Sequence, residues 1–68
     1  MDVFLLWHVN TWPDGEEDAK LIGVYSTLEL ADAARQRAAS LPGFRDAPTG
    51  FLVDRYTVDQ DEWREGFV

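Results

Sequence analysis

The acidic residues that follow the first apolar segment are the group best suited to chemistry in this chain. They are Asp14, Glu16, Glu17 and Asp18, and they lie beside an aromatic residue, Trp12. Clustered carboxylates can bind a divalent cation, but a calcium loop needs ligands at alternate positions and a terminal glutamate, which this spacing does not supply. We therefore predict no metal site here. Two interpretations stay open, a solvated acidic loop and a loop that binds a protein partner.

The single histidine, His8, is the other residue with catalytic potential. It could act as a general base, but the sequence places no nucleophile beside it. A metal site normally needs three or four ligands, and the chain has no cysteine and no second histidine to supply them. We predict a half-buried, hydrogen-bonded histidine, with no catalytic residue and no cofactor.

Composition narrows the class of partner. The 68 residues include thirteen acidic and six basic side chains, which gives a formal net charge of −7. Such a charge repels nucleic-acid phosphates and anionic membrane surfaces, so we expect neither partner and favour a basic protein. The start of the chain does not resemble a signal peptide, and no segment approaches the ~20 apolar residues of a membrane span. We expect a cytoplasmic protein.

Residues 26–43 predict the one helix, around which the rest of the chain is organised. Ser26 is the predicted N-cap, with Glu29 completing a capping box, and Pro42-Gly43 is the predicted end. Because successive residues of a helix are rotated by about 100°, the apolar residues of this segment fall in one narrow stripe. It consists of Leu30, Ala31, Ala34, Ala38 and Leu41.

Three apolar segments predict strands, and together with the helix they give a ββαβ order in a single α+β domain of residues 1–68. The predicted strands are residues 3–10, 20–25 and 51–58, the connecting loops are residues 11–19 and 44–50, and residues 59–68 form a tail. Gly23 within the second strand suggests a bulge or a close approach by the helix. The most apolar strand belongs in the middle, which predicts an antiparallel sheet of order 2-1-3 with the helix on one face.

Tracing the strand directions places both long loops at the same end of the sheet. We therefore predict the partner-binding surface at that end. Its candidate residues are Trp12, Asp14, Glu16, Glu17, Asp18, Phe44 and Arg45.

One helix can cover only one face of three strands, so an apolar patch must remain on the other. If Val3, Leu5 and Trp7 face the helix, then Phe4 and Leu6 point away from it. We expect a homodimer, or the folded-back tail, to cover that patch. The predicted interface residues are Phe4, Leu6, His8, Trp63 and Phe67.

Four short motifs extend over nearly the whole chain. They are LLWH at 5–8, KLIGVYST at 20–27, LPGF at 41–44 and W-x-EGF at 63–67. This pattern resembles a small bacterial family of uncharacterised proteins, a domain of unknown function. The resemblance implies a small α+β domain and transfers no catalytic residue.

These observations favour a small acidic protein-interaction module that regulates or neutralises a basic partner. A homo-oligomeric structural protein is the alternative. A small enzyme or ligand-binding protein with a pocket between subunits is a third interpretation, and the chain offers no P-loop, dinucleotide fingerprint or GxSxG motif to support it.

Overall fold

The computed structural model describes residues 1–61, so the predicted tail anchors Trp63 and Phe67 lie outside the described residues. The elements are β1 (Asp2–Thr11), β2 (Glu17–Tyr25), α1 (Leu28–Ala38) and β3 (Phe51–Thr57). The strands form one sheet of order β2-β1-β3, and both pairs are antiparallel. The predicted α+β fold, its ββαβ order and its central first strand are confirmed.

The β1–β2 hairpin is longer than predicted, and its loop is correspondingly shorter. Glu17 and Asp18 were expected in the loop, but they lie in β2 and pair with Thr11 and Asn10. A tight turn explains the difference, because the Gly15 amide donates to the Trp12 carbonyl at 2.9 Å. Gly15 adopts φ 90°, a conformation that glycine enters without strain. The strands therefore run almost to the tip.

The helix starts one residue later than predicted. Thr27, not Ser26, is the N-cap, with extended backbone angles and a hydroxyl that accepts from the Leu30 amide at 3.1 Å. The shift places Glu29 at the second helical position, so the predicted capping box does not form. Glu29 still lies in the first turn, where the helix dipole favours negative charge.

The helix also ends earlier than predicted, at Ala38 rather than near Gly43. Pro42 has no N–H to donate to the Ala38 carbonyl, and its ring would collide with that group in a continued helix. The chain instead follows successive turns, in which Leu41 donates to Ala38 and Phe44 donates to Leu41. These turns carry the chain across the end of the sheet to β3.

Alanines form the buried side of α1. Ala31, Ala34 and Ala38 are buried, which allows the helix backbone to lie close to β1 and β2. Leu30 and Leu41, the outer members of the predicted stripe, are half exposed. The stripe is therefore narrower than predicted.

The row of β1 that faces the helix is the opposite of the one assumed from the sequence. Leu6 is 0% exposed and His8 is 2% exposed, and Phe4 shares their side of the strand. Leu6 and His8 are buried within the monomer, so the prediction that they form an interface is wrong. Both rows of β1 are apolar in their first half, so the strand's own composition does not select the inner row.

A bulge in β2 also changes which residues share a face. Leu6 pairs with Gly23 while Trp7 pairs with Leu21, so Ile22 is the extra residue. The irregularity near Gly23 is as predicted, but the group that approaches Gly23 closely is the Tyr25 side chain. Because an extra residue shifts the alternation, Leu21 and Val24 lie on the same side of the sheet.

Candidate functional site

The two long loops meet at the hairpin end of the sheet, as the strand directions predict. The Val9 amide donates to the Gly50 carbonyl at 2.8 Å, which ties the segment before β3 to β1. Gly50 is required here, since a Cβ at this position would collide with the Val9 carbonyl oxygen. The contact fixes the position of residues 44–50 against the hairpin.

His8 contacts the loop of residues 44–50 through a hydrogen bond and through packing of its ring. Its Nε2 lies 3.0 Å from the Ala47 carbonyl oxygen, and since a carbonyl only accepts, Nε2 carries the proton. The imidazole also contacts Phe44 and Phe51, with ring centroids 4.7 Å and 5.0 Å away. His8 is thus a hydrogen-bonded structural residue, more deeply buried than the predicted half-buried state.

The contact with His8 changes the role of Phe44. This residue was predicted to belong to the partner-binding surface, but its ring packs on His8 and Phe51 and is only partly exposed. Neighbouring Arg45 is exposed. Of the two, Arg45 remains available to a partner.

The hairpin tip carries the remaining candidates, all of them exposed. Trp12 is 51% exposed, and the side chains of Asp14, Glu16 and Glu17 reach solvent around it. Within residues 1–61, no hydrogen bond joins the side chains of two of these acidic residues. The Asp14 carboxylate instead accepts a hydrogen bond from the Glu16 backbone amide at 2.9 Å. That bond stabilises the turn through the Glu16 backbone, so the Glu16 carboxylate takes no part in it.

Asp18 is the tip residue whose charge is balanced. Its carboxylate lies 3.1 Å from the Lys20 ammonium group, and both side chains are about half exposed or more. An exposed pair of this kind contributes little to stability. It does reduce the charge that Asp18 can offer, so the other acids dominate the local field.

A groove opens beside the tip, where β1 continues past the first residue of β3. Phe51 pairs with His8, so the last three residues of β1 extend beyond the β3 pairing. The groove has a volume of about 490 Å³. Its lining residues are Val9, Asn10, Thr11, Glu17, Ala47, Thr49, Gly50, Phe51 and Leu52.

The lining of this tip groove combines apolar surface with one charge. Val9, Phe51 and Leu52 supply the apolar part, and Glu17 is the one charged residue that lines it within residues 1–61. A lysine or arginine side chain has the matching chemistry, an aliphatic stem and a cationic head. The sequence located Glu17 but not the groove, because the groove depends on where β3 begins relative to β1.

A second groove, between α1 and β3, has weaker chemistry. It has a volume of about 410 Å³ and is lined by Leu28, Glu29, Asp32 and Val53. Asp32 is already engaged, since it accepts from Arg35 and Gln36, and the Arg35 guanidinium holds the pKa of Asp32 below its ordinary value. Only Glu29 would remain for a cationic ligand.

Two further classes of site were sought within residues 1–61. No three histidine or carboxylate side chains of this part of the chain gather closely enough to hold a metal ion. None of its helices is long and apolar enough to cross a bilayer.

Comparison with known proteins gives a match to a family model. The model of a family described as a domain of unknown function, DUF7336, matches residues 1–67. No curated protein and no solved structure matches the chain.

Proposed function

The chain belongs to the DUF7336 family of domains of unknown function, and on that premise we propose that it is an acidic protein-interaction module that binds a basic protein at the hairpin tip. The observation that carries this proposal is the tip groove, whose lining combines the apolar residues Val9, Phe51 and Leu52 with polar groups and one acidic residue, Glu17. Binding there would regulate or neutralise the basic partner.

The surroundings of the groove add long-range attraction. Asp14 and Glu16 lie on the same tip as Glu17, and the whole chain carries a net charge of −7. Charges of one sign around a binding site raise the rate of encounter with an oppositely charged partner. Trp12 adds an exposed aromatic side chain, a residue type that is enriched at protein interfaces.

A peptide titration followed by ¹⁵N NMR tests the proposal. The probe is a lysine-rich peptide, and the same peptide with every lysine acetylated is the neutral control. We expect the amide shifts to centre on Thr11, Glu17 and Thr49, which line the groove. The acetylated peptide should leave these amides unchanged at the same concentration.

Two charge-removing variants separate a specific site from general charge attraction. Glu17→Gln should weaken peptide binding several-fold, whereas Asp61→Asn, an equal charge change at an exposed site after β3, should leave it nearly unchanged. Equal weakening by both variants, or shifts spread evenly over all acidic residues, would refute the site.

The tip should tolerate change without loss of stability. Trp12→Ala combined with Glu16→Gln should alter the free energy of unfolding by no more than about 0.5 kcal/mol, because exposed substitutions usually have small effects. Urea denaturation followed by circular dichroism gives the value. A loss of several kcal/mol would show that Trp12 belongs to the core, and the recognition surface would have to be sought elsewhere.

A further inference from the structure

The sheet face that α1 does not cover is a second surface, which adjoins the tip groove and shares Val9 and Leu52 with it. We define this open face by the outward row of β1 and the residues that pair with it. Its large apolar members are Val3, Leu5, Trp7, Val9, Leu21, Val24, Leu52 and Tyr56. On the two outer strands these side chains are 40% to 55% exposed.

The open face exposes an apolar patch of a size that is often functional. The four outer residues leave roughly 400 Å² exposed, comparable with the largest apolar patch on a typical soluble monomer. The partly exposed row of β1 adds to this area. Two such faces placed together would bury roughly 1,000 Å² in total, the lower limit for a specific interface.

Charge distribution distinguishes the open face from the edges of the sheet. Lys20 and the Ile22 bulge lie on β2, and Arg55 lies on β3. Charged side chains and bulges are devices that keep sheet edges from pairing with another chain. Association through the face is therefore favoured over association through an edge.

The chemistry of the face fits a second copy of this chain. Between the levels of Val3 and Val9, Asp54 is the one charged residue among those paired across this face. A basic partner would find little charge to pair with, whereas an apolar face is complementary to itself under two-fold symmetry. We propose that two chains pack open face to open face as a homodimer.

The acidic tips determine the orientation of the two copies. If the strands of both sheets ran in the same direction, the two tips would lie about 10 Å apart, the usual distance between packed sheets. Asp14, Glu16 and Glu17 of one copy would then repel those of the other. The favoured two-fold axis crosses the strands near the middle of β1, at the level of Leu6, so the tips lie at opposite ends.

Sedimentation equilibrium over a range of concentrations tests the dimer. We expect the mass to rise from 7.8 kDa towards twice that value, with a dissociation constant in the micromolar range. Leu21→Asp should weaken association at least tenfold. Leu41→Asp is the matched control, because Leu41 is 50% exposed and Leu21 is 48% exposed, but Leu41 lies in the segment after α1.

A distance measurement tests the orientation without disturbing the face. The chain has no cysteine, so Pro13→Cys introduces a single site for a nitroxide label. Seven residues separate Leu6 from Pro13, so opposite tips predict a label separation of roughly 50 Å at about 3.4 Å per residue. A separation below about 20 Å would refute the proposed orientation.

Three results would overturn the dimer itself. The first is a mass of 7.8 kDa at every concentration. The second is equal weakening of association by Leu21→Asp and Leu41→Asp. The third is a monomer in which a hydrophobic dye binds only after Trp63→Ser and Phe67→Ser are introduced together, which would identify the tail as the cover. Peptide binding at the tip groove is scored separately, so either proposal can fail alone.

Discussion

Two adjacent leucines of β1 offer the sharpest test of the fold, because they lie on opposite faces of the same strand. Leu6 is 0% exposed under the helix, whereas Leu5 is partly exposed on the open face. Replacing each by alanine removes the same atoms. Any difference in the free energy of unfolding therefore reports the environment of the side chain.

Leu6→Ala should destabilise the protein by about 3 kcal/mol or more, from the lost burial of the side chain and the cavity left behind. The buried residues of the facing helix are Ala31, Ala34 and Ala38, whose short side chains cannot extend to fill that cavity. Leu5→Ala should cost clearly less, about 1 kcal/mol, since part of its surface is already in water.

Such a loss is large for a chain of 68 residues. At the usual stability per residue the whole fold is worth roughly 3–10 kcal/mol. A loss of about 3 kcal/mol corresponds to a fall in melting temperature of roughly 12–24 °C in a domain of this size. Leu6→Ala should therefore melt at a clearly lower temperature than Leu5→Ala.

The assay is thermal and urea denaturation of both variants, followed by far-ultraviolet circular dichroism. Measurements at a protein concentration well below the proposed micromolar dissociation constant keep association from adding to the apparent stability of the variants. A larger loss for Leu5→Ala than for Leu6→Ala would refute the assignment of the inner row. Equal losses would show that both faces are covered to the same degree within one chain.

Two further predictions concern the ends of the elements. Thr27→Ala should lower the free energy of unfolding by about 1 kcal/mol, because it removes the helix cap. Ser26→Ala should change it by no more than about 0.5 kcal/mol. Urea denaturation measures both values, and a larger loss for Ser26→Ala than for Thr27→Ala would contradict the observed cap. The Arg55 guanidinium, and after it the Thr57 hydroxyl, hold the pKa of Asp2 below its ordinary value of 3.8. A carboxylate with a lowered folded-state pKa stabilises the fold above its unfolded pKa, and this stabilisation is lost as the pH falls through the folded-state value. Arg55→Gln should therefore make the decline in stability between about pH 5 and pH 2 shallower, and an unchanged decline would show that the ion pair does not contribute.

The candidate site could be predicted from the sequence only in part. The acidic tip, Trp12 and the meeting of both loops at one end follow from local residue types and from the strand directions. The tip groove does not, because it depends on the register that pairs Phe51 with His8 and leaves the end of β1 unpaired by β3. Phe44 shows the same limit, since only the position of His8 makes it a packing residue.

The sequence by itself determined the elements, their order and the central position of β1, because apolar periodicity and turn residues act over short distances. The tertiary structure alone decided which row of β1 is buried. Val3, Leu5 and Trp7 compete with Phe4 and Leu6 on nearly equal terms, and the choice is made by distant residues. His8 packs against the rings of Phe44 and Phe51 and forms a hydrogen bond with the Ala47 carbonyl. Because Leu6 lies on the same side of β1 as His8, these contacts also place Leu6 beneath the helix.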